Sequence, residues 1–306
     1  MTSPSSPAHL QETIHRISTS PGSFAILSST PNWPIPPTAS SSSSDIHISI
    51  LDSSFNPPTT AHQSIAFSTF PPPIASSSSS PSKGNDGTPR PYTSRLLLFS
   101  ARNVEKTLKS TDATPHQRIE MMSILSSIRR RTNPEEGIAV GVINEPTFVG
   151  KASIIRQYLS TLPHLKQNQN EDQRPGNNVD LTFLVGTDTL IRFFDPRFYP
   201  PNEMHQKIQE YFSNPPNGSG AYLVSARRGT EEEDRAIESE ILCRDGVKDW
   251  VDRGKVRLLG SGEEGWEEVS STKVREAVGR GDWLRVEELV GKDVGGYIRR
   301  EGLYVN

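Results

Sequence analysis

The chain has 306 residues, with 33 Lys and Arg against 36 Asp and Glu for a formal charge of −3, and only 33% of its positions are hydrophobic. A near-neutral balance without a basic block excludes a scaffold that grips DNA or RNA through many phosphate contacts, because that affinity comes from clustered cations releasing counterions. The lone Cys243 rules out an intramolecular disulfide, and no apolar run approaches the roughly 20 residues that span a bilayer.

The first residues, MTSPSSPAHLQETIHRIS, lack the basic and apolar regions of a secretory signal, so a reducing cytoplasmic or nuclear setting is expected. Residues 1–44 are rich in Ser, Pro and Thr and are expected to be mostly disordered, since such sequence buries too little apolar surface to offset ordering entropy. Two elements are expected within them: a short amphipathic helix carried by Leu10, Ile14 and Ile17, and an extra strand with Phe24, Ile26 and Leu27. Residues 45–306 read as one domain interrupted by low-complexity insertions at about 71–93 and 165–179.

In chain order, strands are expected at Ile46–Leu51, Arg95–Ser100, Ile138–Ile143, Leu181–Val185, Ala221–Ser225 and Lys255–Leu259. Helical patterns follow most of them, at Thr60–Phe70, Pro115–Arg130, Lys151–Leu162, Glu231–Leu242 and Ser271–Val278. The third strand pattern is preceded by the best-formed helix start, with Thr114 as N-cap, Pro115 at the first helical position and Gln117 completing a capping box. Strand alternating with helix means an α/β fold, a doubly wound parallel sheet covered on both faces, with ligands outside the carboxyl ends of the strands.

Three segments lie where that rule directs attention. The first strand runs into Asp52-Ser53-Ser54-Phe55-Asn56-Pro57-Pro58-Thr59-Thr60-Ala61-His62, in which small residues let a ligand approach the backbone and the Asn-Pro-Pro turn directs the chain into a helix. A helix start offers free N–H groups to phosphate, and Thr59 and His62, three apart, share a face. The plain alternative is an ordinary loop with His62 as a core or surface histidine. Near the other end, Ser270-Ser271-Thr272-Lys273-Val274-Arg275 can bring hydroxyls, amides and a guanidinium onto one anion, or be a capped helix with a solvated arginine. Between them, a buried strand ends in Gly186-Thr187-Asp188, where Asp188 serves equally well as a helix cap or a ligand residue. Lys106 and Lys109 leave the same sheet edge and are either phosphate contacts or loop lysines.

Other patterns carry no chemistry. Gly260-Ser261-Gly262-Glu263-Glu264-Gly265 matches G-x-G-x-x-G, but its two glutamates would repel a pyrophosphate and no helix opens behind it. Gly150-Lys151 lacks the earlier glycine of a Walker A loop, no G-x-S-x-G or H-E-x-x-H occurs, and the seven histidines show no metal-ligand spacing.

The first segment resembles the G-x-F-x-P-x-[HT]-x-x-H signature of nucleotidylyltransferases, with Ser53 in place of the usual glycine, and the late one resembles their S-S-T-x-x-R signature. With Gly186-Thr187-Asp188-Thr189-Leu190 between them and Tyr297-Ile298 and Leu303-Tyr304 at the end, the chain is similar to eukaryotic-type nicotinamide mononucleotide adenylyltransferases over about Ile46 to Asn306, the insertions excepted. The resemblance implies a Rossmann-like sheet that joins ATP to nicotinamide mononucleotide, with Mg²⁺ arriving on ATP and no dedicated metal ligands. It implies that Ser53, Ser54, Phe55, Asn56, Thr59, His62, Ser270, Ser271, Thr272 and Arg275 serve the triphosphate. His62, Arg275 and Lys106, or else Lys109, would meet the reacting phosphates, Gly186 and Asp188 the adenosine side, and Phe148 the nicotinamide ring. Nicotinate mononucleotide or a phosphopantetheine-like acceptor is the alternative within enzymes, and a non-catalytic nucleotide-binding adapter the alternative outside them.

Overall fold

The structure is a computed structural model that describes residues 7–37, 46–72, 74, 91–101, 112–166, 179–226, 231–259 and 269–305. Its strands are β1 (Phe24–Ser29), β2 (Ile46–Ser53), β3 (Ser94–Ser100), β4 (Gly137–Ile143), β5 (Val179–Gly186), β6 (Tyr222–Ala226) and β7 (Val256–Leu259). Its helices are α1 (Pro7–Thr19), α2 (Thr60–Ala66), α3 (Pro115–Thr132), α4 (Phe148–Thr161), α5 (Pro163–Lys166), α6 (Thr187–Phe193), α7 (Met204–Phe212), α8 (Glu231–Leu242), α9 (Lys248–Asp252), α10 (Ser271–Gly279), α11 (Trp283–Val290) and α12 (Lys292–Arg300).

Among the described residues the strands form one seven-stranded sheet in the order β1-β4-β3-β2-β5-β6-β7. All neighbouring pairs are parallel except β1 with β4. The six parallel strands therefore follow the doubly wound order, in which the chain reverses its direction of winding between β2 and β5. Buried on both faces, the central strands read as apolar runs, which is why their positions were legible. Successive side chains feed opposite layers. Leu97 and Phe99 pack with α1, α2, α3, α10, α11 and α12, while Leu96 and Leu98 pack with α4, α6 and α7.

The amino-terminal expectation needs correction. Residues 7–37 are structured: Ile14 and Ile17 of α1 are buried at 6% and 1% exposure, and Trp33 at 4%. β1 is held by β4 through the register Phe24↔Ile143 to Ser29↔Ala139. Composition measures what a segment can bury by itself, and here the burial comes from a sheet edge more than a hundred residues away in sequence. The helix and strand expected in that segment both form. The low-complexity insertions lie for the most part outside the described residues. The described chain stops at Pro37 before β2, at Ile74 before β3 and at Lys166 before β5, each time resuming at or just before the amino end of a parallel strand, whereas the stops at Ala101, Ala226 and Leu259 follow the carboxyl ends of β3, β6 and β7.

One buried ion triad ties layers together at that end. Arg95 Nε of β3 donates to Glu136 Oε1 at 2.6 Å and Arg129 Nε of α3 to Glu136 Oε2 at 2.6 Å. Arg95 also donates to the Ala66 and Ser68 carbonyls at 3.0 and 2.7 Å, and burial pulls its guanidinium below the ordinary arginine value. Removing one partner of a buried pair costs about 3–5 kcal/mol because a desolvated charge is left behind. Glu136→Ala is accordingly expected to lower the unfolding free energy by that amount, read as a lower urea midpoint at an unchanged m-value. A loss below about 1 kcal/mol would mean that the two carbonyls alone hold Arg95.

No described helix is long and apolar enough to cross a membrane.

Candidate active site

At the winding reversal, a cleft of about 350 Å³ opens between the carboxyl ends of β2 and β5, lined by Asp52, Ser53, Ser54, Gly186, Asp188 and Arg192 among others. One wall is the first motif. Thr59 caps α2, its Oγ1 accepting from His62 N at 3.4 Å. The usual reciprocal glutamate or glutamine is replaced by the imidazole, whose Nδ1 accepts from Thr59 N–H at 3.2 Å and lies 2.8 Å from Thr59 Oγ1. With Nδ1 accepting, the hydrogen-bond pattern assigns the ring proton to Nε2, which lies 2.9 Å from Ser53 Oγ. The three-residue spacing thus makes one side chain both a helix cap and an N–H donor aimed at the strand end. His62 is 4% exposed.

The expected roles of Thr59, Phe55 and Asn56 as direct triphosphate contacts are revised. Thr59 is 1% exposed and committed to His62. Phe55 is fully buried at φ 45°, a left-handed conformation for a bulky residue that its core packing against His62 over-determines. Asn56 braces the loop: Nδ2 donates to Asp112 at 2.8 Å, while Oδ1 accepts from Ala113 N at 3.3 Å and Tyr304 OH at 3.0 Å.

The second motif meets the first here. Ser270 caps α10, accepting from Lys273 N at 3.2 Å. Ser271 Oγ donates to the Pro57 carbonyl at 2.8 Å, and Arg275 Nη1 donates to the Asn56 carbonyl at 2.5 Å and Nη2 to Thr272 Oγ1 at 3.1 Å. Two stretches more than two hundred residues apart form one surface. Gly186 starts α6 as its N-cap residue, and Asp188 is exposed in the cleft without capping the helix, since no side-chain cap bond is made there. Phe148, the first residue of α4, is half-buried and meets Phe183 and Phe193 edge-on at centroid distances of 5.6 and 6.2 Å. Lys106 and Lys109 lie outside the described residues.

Sequence reasoning missed four residues. Arg118 donates from Nε to the Ala113 carbonyl at 2.8 Å and from Nη1 to the Ser54 carbonyl at 3.4 Å, and burial draws its guanidinium below the ordinary value. Tyr304, whose hydroxyl is raised by burial, closes the chain end onto Asn56. Asp52, at the carboxyl end of β2, is paired with Lys151 of α4 and accepts from Ser100 Oγ at 2.8 Å. The one usable signal was Arg118, an arginine inside the first turn of a well-capped helix.

The sequence matches no family profile. It is 28% identical over 257 residues to a Schizosaccharomyces pombe protein named "Putative nicotinamide mononucleotide adenylyltransferase", covering 82% of this chain and 83% of that one. The chain is therefore similar over most of its length to a protein of that name. The resemblance carried by two motifs thus extends across most of both sequences. Two solved structures of Plasmodium falciparum nicotinic acid mononucleotide adenylyltransferase, one complexed with APC and one with NaAD, are 12% and 14% identical to this chain. Each superposes with a TM-score of 0.46 over 85% of this chain and 97% of its own. The α/β, Rossmann-like assignment rests on the sheet order itself.

Proposed function

We propose that the chain transfers the adenylyl group of ATP to the phosphate of a pyridine mononucleotide, with nicotinamide mononucleotide as the acceptor, forming NAD and pyrophosphate. The observation that carries this reading is the bond from Arg275 to the Asn56 carbonyl, which seats the late motif on the early one beside the cleft. The homology to the fission-yeast protein supports the reaction class and the acceptor.

In this reaction a phosphate oxygen of the mononucleotide attacks the α-phosphorus of ATP. The bond from that phosphorus to the oxygen bridging the β-phosphate breaks, and the electron pair leaves with pyrophosphate. No protein nucleophile is required, so catalysis reduces to alignment and charge stabilisation. His62 donates from Nε2 to an α-phosphate oxygen, in exchange for its bond to Ser53. Arg275, freed in part from Thr272, and Lys106 meet the departing pyrophosphate. Ser53 and Ser54 supply the floor against which the triphosphate lies, Gly186 and Asp188 receive the adenosine side, and Phe148 offers a ring edge to the pyridine.

Mg²⁺ is assigned to the ATP phosphates and water. Such an ion is held mainly by substrate oxygens and water, and the cleft's Asp52 is already engaged by Lys151 and Ser100. When bound, the ion neutralises triphosphate charge.

The test is incubation with ATP, Mg²⁺ and, separately, nicotinamide mononucleotide, nicotinate mononucleotide and phosphopantetheine, scored by pyrophosphate release and dinucleotide formation. NAD formation at a kcat/KM at least tenfold above the other acceptors is expected. Faster turnover of nicotinate mononucleotide would reassign the acceptor, and ATP binding without pyrophosphate from any of them would make the chain an adapter.

A further inference from the structure

The pair at the carboxyl end of β2 is not explained by folding. Asp52 directly precedes Ser53 and lines the cleft. The Lys151 ammonium reaches Asp52 Oδ2 from the first turn of α4, and Ser100 Oγ of the intervening β3 donates to Oδ1 at 2.8 Å. The same ammonium stands 5.0 Å over the Phe148 ring. The Lys151 and Asp52 side chains are 2% and 5% exposed. Replacing such a pair with apolar groups is often neutral or stabilising, because desolvating two charges offsets their attraction. A carboxylate at the floor of a cleft that takes anions is, moreover, the wrong sign unless something cancels it. Gly150-Lys151, set aside as an incomplete phosphate loop, supplies that cation from a different element.

We propose that Lys151 is a positioning residue that sets the charge met by the anionic substrates: its ammonium cancels Asp52 and holds that carboxylate against Ser100, away from the phosphates. The inference rests on the nucleotide-binding reading above. It makes the two single substitutions act in opposite directions on affinity. Lys151→Met leaves a lone carboxylate at the cleft floor, whereas Asp52→Asn leaves the ammonium uncancelled with the Ser100 bond still available. A side chain that merely fills space cannot produce opposite signs.

The test is calorimetric binding of ATP with Mg²⁺, and of pyrophosphate alone, to the full chain and three variants, with melting recorded for each. Lys151→Met is expected to weaken both ligands about tenfold or more, and Asp52→Asn to tighten both severalfold. The double variant Asp52→Asn/Lys151→Met should lie within about threefold of the wild type, with the changes in turnover residing in KM and not in kcat. If Lys151→Met fails to fold, Asp52→Asn against the double variant isolates the ammonium, and the single variant should bind tighter by about tenfold. Single substitutions that shift affinity the same way, or equal affinities for that last pair, overturn the inference while leaving the proposed activity standing. A wild-type chain that binds neither ligand removes both.

Discussion

Replacing His62 with alanine is expected to lower pyrophosphate release from ATP and nicotinamide mononucleotide by about 10²–10³-fold, the usual cost of deleting one preorganised donor aimed at a developing oxyanion. The reason is local. Nδ1 is occupied by the Thr59 amide, so the proton sits on Nε2, and that donor is presented at the strand end beside Ser53. Alanine also removes the return bond of the capping box, so a stability loss of about 1 kcal/mol should accompany the kinetic one. His62→Gln separates the two effects. Glutamine is an ordinary partner at that capping position, so the melting temperature should return toward the wild type while turnover stays low. Activity within a few-fold of wild type in both variants, with intact melting, would take His62 out of the chemistry.

The second large effect belongs to Arg275. Its guanidinium spans the two motifs, one nitrogen on the Asn56 carbonyl and another on Thr272. Hydrogen bonds to charged groups contribute about 1.5–3 kcal/mol. Arg275→Ala is therefore expected to raise the KM for ATP about 10- to 100-fold and to weaken pyrophosphate similarly. Arg275→Lys should recover less than half of the loss on a logarithmic scale, because an ammonium restores the charge but cannot hold the loop carbonyl and a phosphate with a planar fork. Steady-state kinetics in both directions read this. An unchanged KM for ATP in the alanine variant would confine Arg275 to bracing the loop.

The strands were legible because central parallel strands must be apolar throughout. The expected run Leu181–Val185 lies inside β5, and Ile138–Ile143 lies inside β4, short by one residue. Helices were legible where a cap or periodicity announced them. α12 was not, because its sequence KDVGGYIRR carries two adjacent glycines that speak against a helix; it forms by packing Val294, Tyr297 and Ile298 into the core beside α11. The motifs showed which residues to watch but not what each does. Phe55, Asn56 and Thr59 sit in the expected loop, yet they support it from behind, a distinction set by which way the backbone turns. Asp52 with Lys151, Arg118 with Ser54 and Tyr304 with Asn56 each join residues separated by tens to hundreds of positions, and no local pattern encodes such pairs.

The breaks after Pro37, Ile74 and Lys166 each lead into the amino end of a parallel strand, while the cleft lies at the carboxyl ends, separated by strands of seven or eight residues, about 25 Å of backbone. Extra length at such points costs only a slowly growing closure entropy. A fluorophore or epitope attached at Pro91, three residues ahead of β3, would thus enter the molecule on the side away from the cleft.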